Sequence, residues 1–249
     1  GEYRNARRVF KCAFIYVVSV GLVAAVLTFA FAPALVKEQP NAILSLQILA
    51  PTIFLSGFLA IYRGYLQAYK TMIPTSISQI IEQIANAVVS VLAAYLMSRP
   101  FVPGTSEHAK YGAAGSAMGT GAGVLCGIIY ILIAYAGRRK EIMETVESDV
   151  SSNVESYGKL FRQIVMIVTP IIIAAFVYNI TTTVDMKIFY NVLNSKNVDR
   201  VESANLYGIF SGQYMVLINL PVSIASAVGT TLIPNISGAF TKGDKAETN

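Results

Sequence analysis

Apolar residues run along this chain in six stretches of membrane-spanning length: Lys11 to Leu35, Ile43 to Tyr69, Ile73 to Met97, Tyr111 to Ala136, Leu160 to Asn191 and Ala204 to Pro234. A helix rising about 1.5 Å per residue needs about 20 residues to cross a hydrocarbon core about 30 Å thick, so each stretch predicts one transmembrane helix. The alternating segments of about ten residues that mark an outer-membrane barrel do not occur. The expected fold class is all-α: a polytopic membrane helix bundle with six transmembrane helices.

Polar residues interrupt these stretches at particular places. After Pro74, Gln79, Glu82, Gln83 and Asn86 fall at i, i+3, i+4 and i+7, which puts all four on one side of a helix. Glu82 lies about 12 Å along that helix from Pro74, well inside the hydrocarbon slab, so a lipid-facing position is too costly. Counted back from a turn near Thr71, Arg63 sits at a similar depth on the preceding helix. Pairing across the hairpin would make both charges cheaper to bury. Snorkelling of Arg63 to the interface is the alternative. The fifth stretch carries Pro170 and then Tyr178, Asn179, Thr181, Thr182, Thr183 and Asp185; the sixth carries Gln213, Asn219 and Pro221. Kinked spans lined with polar groups suit a transporter, whereas any single Asn or Thr is also explained by helix–helix hydrogen bonding.

Composition agrees with a membrane protein: 54% of the 249 residues are hydrophobic, 13% are charged and the mean hydropathy is +0.56. The net charge of +5 would suggest a nucleic-acid partner in a soluble protein, but here the distribution of Lys and Arg reports topology and no nucleic acid is expected. With the first residues in the cytoplasm, the inner side collects Arg4, Arg7, Arg8, Lys11, Arg63, Lys70, Arg138, Arg139, Lys140, Lys159, Arg162, Lys242 and Lys245. The outer side collects only Lys37, Arg99, Lys110, Lys187, Lys196 and Arg200, so both ends of the chain are expected inside. The basic start, apolar run and Ala30-Phe31-Ala32 imitate a secretory signal, but the run is too long and reads as a transmembrane helix. The missing initiator Met suggests a fragment or a processed chain.

Chemistry-bearing clusters are sparse. His108, the single histidine, is expected in an outer loop beside Glu107 with no companion at ligand spacing, so no metal site and no cofactor are expected. Cys12 and Cys126 both lie in apolar spans and read as small hydrophobes. No Gly-x-Ser-x-Gly, Cys-x-x-Cys or His-Glu-x-x-His pattern is present, and the intramembrane acids Glu82 and Asp185 are on separate helices. An enzyme is not expected. Asn179-Ile180-Thr181 and Asn235-Ile236-Ser237 fit glycosylation spacing but sit in a span and at a cytoplasmic end.

Two features organise the chain. Gly115, Gly119, Gly123 and Gly127 repeat every four residues, so the fourth span presents a nearly bare backbone face that a neighbouring helix can approach closely. After Arg138-Arg139-Lys140, the stretch Glu141 to Ser156 is the only long polar connection. Ile142, Val146, Val150 and Val154 repeat within it among five acids, which predicts either a short surface helix or a solvated linker fraying around Ser151-Ser152-Asn153.

Several segments together resemble a known family: Leu49-Ala50-Pro51-Thr52-Ile53-Phe54, Arg63-Gly64-Tyr65-Leu66-Gln67, Met72 through Gln83, Tyr111 through Gly121, Val184-Asp185, Leu206-Tyr207-Gly208, Asn219-Leu220-Pro221 and Leu232 through Ser237. The chain is similar over nearly its whole length to the polysaccharide and lipid-linked oligosaccharide flippases of the multidrug/oligosaccharidyl-lipid/polysaccharide exporter superfamily. Within them it most resembles the stage V sporulation protein B-like group, which includes lipid II flippases. The resemblance implies a two-lobed fold of about fourteen spans, of which six would be the third through eighth. Residues 1–140 would then complete the N-terminal lobe with four transmembrane helices, 141–157 would be a cytoplasmic inter-lobe linker, and 158–249 would be the first two helices of the C-terminal lobe. A faint echo between Gly1-Glu2-Tyr3-Arg4-Asn5-Ala6 and Gly243-Asp244-Lys245-Ala246 fits equivalent points of a repeat.

By that resemblance the chain is expected in a bacterial cytoplasmic membrane, as part of a flippase that moves a lipid-linked oligosaccharide from the inner to the outer leaflet by alternating access. The peptidoglycan precursor on undecaprenyl pyrophosphate is one such substrate. The expected substrate cavity is lined by Gln79, Glu82, Gln83, Asn86, Tyr178, Asn179, Thr182 and Asp185, with Arg63 contacting pyrophosphate or holding Glu82. Partners are the lipid-linked sugar and the bilayer; Glu82 or Asp185 would be the group for a coupling ion, whose identity the sequence leaves open. A cation-coupled multidrug exporter of the same superfamily is the competing reading.

Overall fold

The computed structural model describes residues 3–36, 39–69, 72–149 and 155–242, with side chains in the last helix described through Gly229 and at Leu232. Val150, Ser151, Ser152, Asn153 and Val154 of the polar connection, and Gly1, Glu2 and the stretch from Gly243 that carry the terminal echo, lie outside the described residues. The elements are α1 (Tyr3–Leu35), a 3-10 turn (Pro40–Ala42), α2 (Ile43–Ala68), α3 (Ile73–Ser98), α4 (Ser106–Glu147), α5 (Tyr157–Ser195), α6 (Arg200–Ile209), a π turn (Phe210–Tyr214) and α7 (Met215–Lys242). No strand occurs among the described residues. Six helical stretches are long and apolar enough to cross a membrane, the sixth running from α6 through the π turn into α7. The protein is an all-α polytopic membrane helix bundle.

Local chemistry sets the helix ends. Pro74 is the second residue of α3, where its missing N–H breaks no helical bond. Thr105 caps α4: its Oγ1 accepts from the His108 N–H at 3.2 Å, and Glu107 adds a negative charge in the first turn. His108, expected in a loop, is therefore in the opening turn of α4, because the Thr-x-x-His spacing places it where a capping side chain accepts. At the other end of α5, Asn197 takes a left-handed φ of 57°, a conformation Asn tolerates better than most residues, and the chain turns into α6.

After Lys140, where the sequence left a short surface helix and a solvated linker open, α4 itself carries on. The helix continues unbroken through the basic triplet to Glu147, because Ile142 and Val146 are buried and give the extension an apolar face. Charge at Arg138-Arg139-Lys140 limits how far the span can enter lipid, but it does not stop a helix whose next apolar pair packs against protein.

The chain divides into two compact units, Gly1–Val165 and Met166–Asn249, with the division inside α5. In the first unit the glycine repeat of α4 lies against α3. A Cβ added to Gly115 would overlap the Ala93 carbonyl oxygen, one on Gly119 would stand 2.5 Å from the Ser90 backbone nitrogen, and one on Gly123 would stand 2.6 Å from the Glu82 carbonyl oxygen. Backbone meets backbone over three turns, as a small-residue stripe allows. Beneath this contact, Leu59, Tyr65 and Leu66 of α2 pack with Val124, Ile128, Ile131 and Ile142 of α4. Phe10 joins α1 to this core, with ring centroids 4.2 Å from Tyr65 and 5.6 Å from Tyr62.

In the second unit, Phe189 and Tyr190 of α5 pack against Tyr207 of α6, at 5.4 Å in both cases, and Phe189 stacks on Phe210 of the π turn at 5.7 Å. Elsewhere its large apolar side chains are outward, among them Ile171, Phe176, Leu217 and Ile224. Such a surface requires lipid or further protein around it. Its polar side chains look after themselves: Asn179 donates to the Ala175 carbonyl at 2.7 Å, Thr181 to Val177 at 3.0 Å and Asn219 to Met215 at 2.8 Å.

Candidate functional site

Arg63 and Glu82 meet. Arg63 is on α2, one turn and more before that helix ends, and Glu82 is in the third turn of α3, so the contact joins the two helices. Arg63 Nη2 donates to Glu82 Oε2 at 2.7 Å, and the two side chains retain only 15% and 20% of their exposure. Arg63 does not snorkel away from this partner. The guanidinium also donates to Ser78 Oγ, from Nε at 3.2 Å and from Nη2 at 2.8 Å, and the Ser78 hydroxyl donates in turn to the Gly127 carbonyl at 3.2 Å.

Three helices are thus tied by one chain of polar groups: Glu82 and Ser78 on α3, Arg63 on α2 and the Gly127 carbonyl on α4. Gly127 makes room for it, since a Cβ there would stand 3.3 Å from Arg63 Nη2 and 3.1 Å from Leu59 Cδ2. Ser78, fully buried, was not among the residues singled out from the sequence. The available signal was its position four residues before Glu82, which puts both on one side of α3.

The polar face expected on α3 divides in two. Glu82 and Asn86 are half-buried towards the neighbouring helices, and Gln79 and Gln83 are exposed. The glycine stripe of α4 decides this: it meets α3 along the line through Glu82, Asn86 and Ser90, leaving the two glutamines outside the contact. Asn86 is drawn into that seam, with Ser90 Oγ 2.9 Å from Asn86 Oδ1 and also 2.9 Å from the Ser116 carbonyl on α4. In the second unit, Tyr178, Asn179, Thr182 and Asp185 are all exposed on α5, and Tyr178, Thr182 and Asp185 follow one another at i, i+4 and i+7.

No group of three or more His, Cys, Asp or Glu side chains among the described residues is placed to hold a metal ion. Cys12 is buried and Cys126 half-buried, both as free thiols. The chemistry on offer is hydrogen bonding: amides, hydroxyls and one neutralised ion pair set into helices of membrane-spanning length.

Residues 2–240 match the sequence model of a family described as polysaccharide biosynthesis protein. Among curated proteins, the chain is 22% identical to the lipid II flippase MurJ of Bacillus subtilis (strain 168), over 98% of this chain and 46% of that protein. It is also 22% identical to stage V sporulation protein B of the same organism, over 95% of this chain and 44% of that protein. The chain spans about half the length of the curated relatives it matches. No solved structure matches it.

Proposed function

This chain belongs to the polysaccharide biosynthesis protein family, and from that premise we propose that it forms part of a flippase carrying a lipid-linked oligosaccharide from the inner to the outer leaflet of a bacterial cytoplasmic membrane by alternating access. The observation that carries the reading is the match over nearly the whole chain to a relative named as a lipid II flippase. A peptidoglycan precursor on undecaprenyl pyrophosphate is the substrate we assign. Transport rather than catalysis is the activity we assign, and the excess of Lys and Arg on one side supports an orientation with both ends of this chain in the cytoplasm.

The physical problem is a sugar headgroup crossing oil. Each hydroxyl stripped of water costs several kcal/mol unless another partner replaces it, on the order of 1–3 by protein-based measures. Gln79 and Gln83 offer exposed amides that both donate and accept, on a span where exposure to lipid would be costly. Tyr178, Asn179, Thr182 and Asp185 offer a second exposed polar line on α5. In this reading both sets contact the headgroup while the lipid tail stays in the bilayer. Asn86, seated in the α3–α4 seam, supports the first set.

Arg63 and Glu82 take a different role from the one a lone cation would have. The two charges offset each other and are hydrogen-bonded to Ser78 and through it to Gly127, so the pair contributes a clasp that keeps α2, α3 and α4 together as one wall during transport. Binding tests the substrate class. Purified full-length protein should retain an undecaprenyl-pyrophosphate-linked sugar in preference to undecaprenyl phosphate without sugar, and Gln79→Leu/Gln83→Leu should erase that preference. Equal retention of both lipids, or tight binding of a hydrophobic cationic drug in place of the sugar lipid, would remove the reading in favour of an exporter.

A further inference from the structure

A second polar site lies apart from the α2–α3 clasp, at the start of α1. Arg4, Arg7, Arg8 and Lys11 follow at i, i+3, i+4 and i+7, so four cations share one side of the first two turns. They face the end of α4 and the start of α5, and together with Val146, Glu147 and Tyr157 they line a surface cavity of about 470 Å³. All of these residues belong to the first unit.

The cavity is built rather than incidental. Arg8 is fixed in its wall, with Nη1 donating to the Glu155 carbonyl at 2.7 Å and the guanidinium 4.9 Å above the Tyr157 ring. The Glu155 N–H is in turn held by the buried Asn5 through Oδ1 at 3.0 Å, and the Arg4 N–H by Asp149 Oδ2 at 2.9 Å. The ion pairs Arg63–Glu82 and Lys159–Glu155 do not engage Arg4, Arg7 or Lys11. Four cations outnumber the carboxylates of Glu147, in the lining, and Asp149, which accepts from the Arg4 N–H beside it, and leave an excess of positive charge.

Depth narrows the ligand. The apolar run of α1 begins at Lys11, so Arg7 lies about 6 Å and Arg4 about 10 Å beyond the hydrocarbon edge, which is the level of lipid headgroups. Tyr157 supplies an aromatic wall of the kind enriched at that level, and Val146 an apolar one. We propose that this cavity binds the phosphate headgroup of an anionic membrane lipid, with Arg4, Arg7 and Lys11 contacting the phosphate and Arg8 holding the wall. The bound lipid staples the N-terminal turns of α1 to the end of α4 and the first turn of α5. This site is separate from the surface assigned to the transported sugar, and it stands or falls independently of that assignment.

The test titrates purified full-length protein in neutral detergent with phosphatidylglycerol, phosphatidylcholine or inorganic pyrophosphate, and counts bound ligand by native mass spectrometry. Phosphatidylglycerol should bind in preference to phosphatidylcholine, and Arg7→Gln/Lys11→Gln should weaken it about 30-fold, the factor two charges carry at headgroup distance. Arg139→Gln/Lys140→Gln makes the same change of charge outside the cavity and should leave binding intact. Arg4→Gln/Lys11→Gln, which alters two exposed side chains, repeats the test if the first double variant fails to elute as folded protein. Equal binding of the two lipids, or equal loss in the inside and outside variants, overturns the site. Binding of pyrophosphate with phosphatidylglycerol excluded overturns the lipid as its occupant.

Discussion

Replacing Arg63 and Glu82 by glutamine, singly and together, should give a strongly non-additive pattern. Each single change strands a charge that keeps 15% or 20% of its exposure in a mostly apolar three-helix contact. Breaking a fully buried pair from one side costs about 3–5 kcal/mol; the residual exposure here screens part of that, and about 2–3 kcal/mol is expected for each single variant. Arg63→Gln/Glu82→Gln leaves two neutral amides that can bond each other, so the double variant should cost no more than either single one. The coupling is then about 2 kcal/mol or more. In thermal unfolding of full-length protein in one detergent, each single variant should fall by about 4–8 °C, and the double variant by no more. A double variant that falls by the sum of the two would refute the clasp, because independent side chains add.

Ser78→Ala removes the hydroxyl that joins Arg63 to the Gly127 carbonyl, and should cost about 1–2 kcal/mol in the same unfolding assay while leaving Arg63 and Glu82 paired. Gly119→Ala should destabilise by about 1–3 kcal/mol, since the new methyl would stand 2.5 Å from the Ser90 backbone nitrogen, whereas Gly137→Ala, with nothing within 4 Å, should be neutral or stabilising by up to about 1 kcal/mol. Thr105→Ala should cost about 1 kcal/mol through loss of the α4 cap, read as faster hydrogen exchange at the His108 amide. Gln79→Leu/Gln83→Leu should leave the unfolding temperature within about 2 °C, because both side chains lie outside the α3–α4 seam, and should slow headgroup translocation at least tenfold, about 1.4 kcal/mol of barrier.

The six spans were legible because burial in lipid demands unbroken apolar length, and that signal survives without any knowledge of packing. Depth along the α2–α3 hairpin was enough to anticipate that Arg63 and Glu82 could pair. Seams between helices were harder to read. The stripe from Gly115 to Gly127 announced a close approach but not its partner, and the partner determined that Asn86 turns inward while Gln79 and Gln83 stay exposed. Ser78 was hidden by its small size: its place four residues before Glu82 put it on the same side of α3, but a serine there reads as helix packing until an arginine from another helix is placed beside it. Lys140 marked the edge of a span but not the end of α4, which runs on to Glu147, because span length and helix length answer to different solvents. The π turn at Phe210–Tyr214 left no signal that periodicity detects, since it only adds one residue to a continuing helix.

Translocation is the most direct measure of the central claim. Full-length protein reconstituted into proteoliposomes loaded with a defined undecaprenyl-pyrophosphate-linked sugar on one leaflet should make that headgroup accessible to an impermeant enzyme on the other side. The rate should be set by protein content, and the Gln79→Leu/Gln83→Leu variant should fall towards the protein-free rate. A folded wild-type protein that leaves the sugar lipid on its original leaflet, or that moves a cationic drug in its place, would contradict the account.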